Sequence, residues 1–461
     1  MSRIDLDDVD ATPRGTAITS LSDVVVGSIF QYLYWKEKIM AVEAFPAWSR
    51  ILDSSFGWRH FENDRRYAQS FDALKSTNYL FEEITCIARY GQFFTHAVIW
   101  LRDWELIDNP EESDFALLGA LETHCFRLKS LVIYHPPDLS SSFIIRSAVP
   151  YIQPLQRMLS FSPSLQVSLY RLLYFSEETR TGASKLLHFY HDHNVLHKVA
   201  CLDFSHGVKL TSSVRPMNCL VYCTSLRVLK CPIQYLNTLI LQQLVEFSLQ
   251  ELYLINDEHT LHLNYVEGSA IHWHALQLIP GRKLKVHYVF KTRPVDLCPN
   301  PYACSLVFDH ILYNISRTLL LSVADMYGAT LEHIAFMLAA YSDVPFSDLE
   351  DLPTNIQTMA SRLTCVHTVL LNLFIPKDAL ISLARHAPAL KTLLVYEHKI
   401  LFDRHAVNTV EEIEELKSII SEALGYSWKP VKDENTFNKL SGYRQSLLFQ
   451  DFFRQLQDFL L

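Results

Sequence analysis

LRVLKC at residues 226–231 and LQELYL at residues 249–254 share one spacing, with apolar side chains at the first, fourth and sixth positions. Side chains alternate along an extended strand, so the fourth and sixth point to the same face. One such hexamer means little in a chain this rich in aliphatic residues. The order of elements around it decides the reading. Ser113 opens a helix-spaced run of Phe115, Leu117, Leu118 and Leu121; Leu128-x-x-Leu131-x-Ile133 follows, stopped by Pro136-Pro137. Toward the other end Ala379, Leu380, Leu383, Ala384 and Ala387 have helical spacing, Pro388 stops them, and Leu390-x-x-Leu393-x-Val395 follows.

The same hexamer recurs at Val199–Phe204, Leu331–Phe336 and Val366–Leu371, and more weakly at Phe94–Ile99, Leu169–Tyr174 and Leu284–Val289. Taken at the fourth position, Leu202, Leu229 and Leu252 are 27 and 23 residues apart, and Val369 and Leu393 are 24 apart. Helix, breaker and strand at such a period resemble a leucine-rich repeat. The expected fold class is α/β: a curved solenoid with parallel strands inside and helices outside. The strands near Leu131, Leu202, Leu229, Leu252, Val369 and Leu393 should then form one parallel sheet in sequence order. The Asn that usually follows the repeat strand is missing at its expected position. An ordinary α/β domain with a parallel sheet is physically close to this reading.

Composition narrows the function. The 461 residues are 49% hydrophobic and 20% charged, a globular balance. A net charge of −9 argues against a general nucleic-acid binder. The 12 glycines never lie within five residues of each other, so no phosphate-cradling loop and no G-x-S-x-G elbow exists. The nine cysteines lack C-x-x-C spacing, which fits buried thiols in a reducing compartment, cytoplasm or nucleus. The longest uncharged run, Cys231–Val245, has 15 residues and four amides, short of the roughly 20 apolar residues of a membrane span.

The first 60 residues differ from the repeats. Ser20 and Asp23 have capping-box spacing, and Val25, Val26, Ile29, Phe30 and Leu33 follow at helical intervals. Ile39, Val42 and Phe45 form a second apolar set. Pro46 suits the first turn of a third helix, with Trp48, Ile51 and Leu52 on its apolar side. Three short helices cannot enclose a good core alone.

This stretch resembles the F-box. Leu21, Val25, Val26, Ile29, Phe30, Tyr32, Leu33, Ile39, Ala44, Trp48, Leu52, Asp53 and Trp58 fall in the family's register without a gap. Ser22 stands where the family has Pro, Val24 where it has an acid, and Phe45 where it has Cys. With the repeats behind it, the layout is similar to the F-box-only group with irregular leucine-rich repeats typified by F-box only proteins 33 and 39. The resemblance implies a non-catalytic substrate receptor of an SCF-type ubiquitin ligase, with no cofactor and no metal. Its partners would be a Skp adaptor, through it a cullin, and a target protein held on the repeats, with no nucleic acid and no membrane. It implies adaptor contacts at Leu21, Val25, Val26, Ile29, Phe30, Leu33, Ile39, Phe45 and Trp48. A repeat scaffold without a link to ubiquitin remains the alternative.

The expected division is a flexible tail at 1–18, the F-box at 19–60, the repeats at 61–400 and a C-terminal capping region at 401–461. In that last region Thr409 and Glu412 make a second capping box, with Gly425 as the helix stop. Solenoids offer extended concave surfaces, so the target is expected on the concave strand face, through exposed residues such as Lys230 and Tyr253, on the C-terminal loops, or on both. His188, His191, His193 and His197 have helix-face spacing but no completing ligand, and read as a solvated face. His272-Trp273-His274 reads as surface or groove. Arg282, Lys283, Lys285 and Lys291 form a modest basic cluster, read as a solvated face, with an acidic or phosphorylated ligand as the sharper alternative.

Overall fold

The computed structural model describes residues 21–63, 77–101, 110–134, 144–170, 191–192, 194–204, 217–256, 271–290, 298–309, 317–337, 351–402 and 410–432. The chain divides into two compact units, 1–170 with 192–198, and 171–191 with 199–461.

The first unit begins with helices α1 (Asp23–Tyr32) and α2 (Trp35–Ala44), a 3-10 turn at Pro46–Trp48 and the single turn α3 (Ser49–Leu52). Strand–helix alternation follows: β1 (His60–Glu62), α4 (Thr77–Tyr90), β2 (His96–Trp100), α5 (Pro110–His124), β3 (Ser130–Tyr134), α6 (Ile144–Phe161) and β4 (Gln166–Tyr170). The four strands pair in sequence order, all parallel, with Ala97, Leu131 and Val167 in one row and Ile99, Ile133 and Leu169 in the next. These rows are buried. Parallel neighbours need a crossover, and the helices supply it; α4, α5 and α6 pack each on the next. The strand starts are stitched regularly: the Thr95 and His96 N–H groups donate to the Arg59 carbonyl, and those of Lys129 and Ser130 to the Thr95 carbonyl.

Two sequence expectations change here. The first repeat was missed: Trp58-x-x-Phe61-x-Asn63 occupies the template one unit before Phe94-x-x-Ala97-x-Ile99. It escapes the pattern because its sixth position is polar. Asn63 there accepts from the Trp100 N–H (2.6 Å) and donates to the Trp100 carbonyl (3.0 Å), so a side-chain amide bridges the two strands as a repeat Asn does. The strand expected at Leu169–Tyr174 lies at Gln166–Tyr170, because its first template position is Ser164.

The second unit carries β5 (Val199–Asp203), β6 (Val228–Pro232), α7 (Thr238–Phe247), β7 (Glu251–Asn256), β8 (Lys285–Phe290), β9 (Ala303–Asp309), α8 (Arg317–Tyr327), β10 (His333–Met337), α9 (Leu352–Arg362) and β11 (Thr368–Asn372). A short β12 (Ile375–Pro376), α10 (Lys377–His386), β13 (Thr392–Val395), β14 (Ile400–Leu401) and α11 (Val410–Leu424) complete it. Strands β5 to β11 and then β13 pair in sequence order, all parallel. Within each unit the strands near the six expected leucine and valine positions therefore run as the repeat reading requires.

The repeat frame does not stay constant. Leu252 of β7 aligns with Val286, whereas Leu254 aligns with Tyr288, Leu306, Ile334, Val369 and Leu393. The template thus slides two residues along the strand between β7 and β10, and the pairing of β8 with β9 carries an irregularity between Val286 and His287. Phe290, Phe308 and Phe336 stack in the next row, at 5.3 and 4.8 Å between ring centres. Tyr288 and Tyr327 fill space beside this row: Asn300 donates to the Tyr288 hydroxyl (2.9 Å), and Tyr327 donates to the Cys298 carbonyl (2.9 Å).

The opposite strand face corrects the concave-surface expectation. Tyr253, Ile255, Val289, Val307, Ala335, Met337, Leu370 and Leu394 form a buried apolar cluster. Lys230 and Tyr253 are buried, not exposed. Lys230 sits 3.7 Å from Asp203, and Tyr253 stacks on His287 at 4.3 Å. At the far edge of the sheet, the Val431 N–H donates to the Val395 carbonyl (2.8 Å), and the Trp428 indole donates to the Leu393 carbonyl (2.7 Å). Helix α11 packs on α10 and stops where Gly425 adopts φ +76°. The tail at 1–18, Ser20, Thr409 and everything after residue 432 lie outside the described residues. Among the described residues no helix is long and apolar enough to cross a membrane.

Candidate protein-docking surface

Helix α1 starts at Asp23, with Ser22 as its N-cap and no side-chain capping bond, so the expected Ser20–Asp23 box does not define its start. Arg50 of α3 donates to the Asp23 carboxylate at 2.5 Å and ties the two helices together. The Tyr34 N–H donates to Glu37 (2.7 Å), which fixes the first turn of α2.

The nine residues singled out for adaptor contact separate into three groups. Val26, Phe30 and Trp48 are buried and form the inside of the helical unit, with Phe30 edge-on to Trp48 at 6.0 Å. In this conformation they shape the surface from beneath. Leu21, Ile29, Leu33, Ile39 and Phe45 are half-buried. Val25 is exposed at 44%. Three further apolar side chains stand out more: Val24 (68%), Tyr32 (90%) and Met40 (64%). Tyr32 was in the family register but not among the singled-out contacts; Met40 follows Ile39 and carried no periodic signal. Short helices with one buried stripe normally turn polar residues outward, so these outward apolar residues are candidates for a partner contact.

The unit is fastened to the first repeat. Lys38 of α2 is buried and donates to the carbonyls of Gly57 (2.9 Å) and His60 (3.4 Å), while its ammonium lies 4.9 Å from the centre of the Trp58 ring. Burial pulls its pKa down to about 8, against the opposing effect of Cys86. Trp58 stacks on Tyr90 of α4 at 4.4 Å. Lys36 pairs with Glu82 at 2.7 Å and Arg89 approaches Asp53 at 3.6 Å. The expected boundary after residue 60 falls inside β1.

Cys304 lies 3.5 Å from His287, and the His287 Nδ1 is 2.7 Å from the Ser305 hydroxyl. Burial pushes the thiol up to about 12 and the imidazole down to about 3, the reverse of an activated thiolate pair. His191 stacks on Tyr222 at 3.8 Å; His188 and His193 lie outside the described residues. Among the described residues no group of His, Cys, Asp and Glu could hold a metal ion. In His272-Trp273-His274 the two histidines are exposed, while Trp273 is buried in a 3-10 turn at Trp273–Ala275.

No protein-family profile and no curated protein matches the chain. Among solved structures it is similar to a chain of the crystal structure of the Rad7 and Elc1 complex in yeast. The identity is 11% and the TM-score 0.42, over 91% of this chain and 90% of that one.

Proposed function

We propose that the chain is the substrate receptor of an SCF-type ubiquitin ligase. Helices α1 to α3 dock a Skp adaptor, which bridges to a cullin, and the repeats hold a target protein. The observation that carries this reading is the gapless F-box register over three helices that leave Val24, Val25, Tyr32 and Met40 facing outward. Such a receptor needs no catalytic group. It acts by raising the local concentration of the target beside the conjugating enzyme.

The exposed residues give a clean test. Val25→Asp with Tyr32→Asp places two carboxylates on the docking face without touching the buried stripe of Val26 and Phe30. Each would meet apolar surface without a partner, and about 1.4 kcal/mol already costs tenfold in affinity. Skp adaptor and cullin should be lost from co-purification with the full chain, while its thermal unfolding stays unchanged. Undiminished adaptor capture by the folded double variant would refute the reading and favour a repeat scaffold without a link to ubiquitin.

A further inference from the structure

In a chain of net charge −9, Arg282, Lys283 and Lys285 converge on one open depression of about 490 Å³ in the second unit, beside Phe247 and Glu251. It lies where α7 ends and β7 and β8 begin. Its geometry is built. Gly281 takes φ +86°, which only glycine adopts readily, and the Arg282 N–H closes a turn onto the Ile279 carbonyl (2.9 Å). Arg282 Nη1 then donates to the carbonyls of Val245, Glu246 and Phe247 at 2.7 to 2.9 Å, which anchors the guanidinium on the last turn of α7. A guanidinium has five N–H donors, and all three bonds use one nitrogen, so the other edge retains a fork for an oxyanion.

Two carboxylates share the neighbourhood: Glu251 lines the depression and accepts from the Tyr253 hydroxyl (3.1 Å), and Glu332 lies 3.7 Å from Lys285 and 3.8 Å from His333. Lys285 is thus partly countered by Glu332, and the net positive charge rests on Arg282 and Lys283. Lys283 is exposed and has no ion-pair partner among the described residues. Phe247, 45% exposed, gives the depression an apolar wall. Lys291, grouped with these cations in the sequence, lies outside the described residues.

We infer that this depression binds an acidic peptide segment, with its carboxylate or phosphoryl groups on Arg282, Lys283 and Lys285 and an adjoining apolar side chain against Phe247. As the place where a target docks, it rests on the receptor reading above. As a binding site, it stands on its own geometry.

The test uses the full chain and fluorescence anisotropy with a labelled glutamate-rich peptide carrying one phenylalanine. Binding should occur and weaken with salt. The glutamine version should not bind. A phosphoserine version separates the two sources of charge: tighter binding assigns the site to phosphoryl groups, equal binding to carboxylates. Lys283→Glu with Lys285→Glu should weaken binding roughly tenfold, turning two surface attractions into repulsions. Skp co-purification by that variant should persist, which keeps this site separate from the adaptor surface. Should the double variant unfold early, Lys283→Glu alone decides. The inference is overturned if neither acidic peptide binds, if the glutamine peptide binds equally, if the charge reversals leave binding unchanged, or if oligothymidylate of matched charge binds this site more tightly than both acidic peptides.

Discussion

Mild acid should destabilise the second unit, and the size of the effect follows from two imidazoles. His287 is buried in the sheet, stacked on Tyr253 and 2.7 Å from the Ser305 hydroxyl. Burial first, then His333 and Lys285, hold its pKa down to about 3. His333 is pulled to about 4 by burial, with Glu332 opposing and His367 and Lys285 assisting. An unfolded histidine titrates near 6.5. Both side chains are therefore neutral in the folded chain, and the unfolded chain binds more protons below pH 6.5. Stability is complete above that value and falls as the pH drops toward the folded values. At pH 5 the gap from 6.5 is about 1.5 pH units, or about 2 kcal/mol for each group and about 4 kcal/mol for the pair. That is a large share of a typical total of about 5–15 kcal/mol. Most carboxylates titrate below this window, so it isolates the histidines. Urea unfolding at pH 7.5 and pH 5 measures the loss, and His287→Gln should remove about half of it. Equal urea midpoints at the two pH values would show that these imidazoles are hydrated when folded, and that burial does not hold their pKa values down.

Two further outcomes test the packing. Trp58→Ala removes a fully buried ring stacked on Tyr90, so the first unit should lose about 3–5 kcal/mol in urea unfolding; a loss below about 1 kcal/mol would mean that the junction between α2, β1 and α4 does not depend on it. A Cβ on Gly328 would lie 2.5 Å from the carbonyl oxygens of Ala324 and Arg362, so Gly328→Ala must push α8 from α9 and should cost about 1–3 kcal/mol in the same assay.

The legible part of the fold was the part with redundant signals. Leu131 and Ile133 follow a helix-spaced run and precede two prolines, and Leu393 follows another such run, so three signals agree on each strand. The misses fall where a signal was absent. Strand β9 was missed because its pattern begins at Ala303, no helix appears among the described residues 298–302 before it, and Tyr288, Asn300 and Tyr327 occupy space beside it instead. The face of the strands bearing Lys230 and Tyr253 was taken as exposed because alternation tells which residues share a face, not what covers the second face. The sequence located the three N-terminal helices, and the F-box register includes Tyr32. Spacing alone could not separate Phe30, which packs beneath the surface, from Val25, which lies on it.

Trp58 belongs to two registers at once, and this changes which experiment can test the receptor reading. In the F-box register it closes the helical unit; in the repeat register it opens the first strand, one unit before Phe94. Lys38 reinforces the overlap, because its ammonium satisfies the carbonyls of Gly57 and His60 that lead into β1 at the edge of the sheet. A solenoid end needs a cover for its open core and unpaired edge, and α1 to α3 supply part of it. Removing residues 1–60 would therefore take away the proposed adaptor surface, Trp58, Lys38 and the start of β1 together. Loss of adaptor and loss of target would then have one cause, a frayed first repeat. Substitutions at Val25 and Tyr32 avoid this, since both side chains point away from the stack that holds the unit to the sheet. Changes on that outer face test the proposed adaptor binding while leaving the first repeat intact.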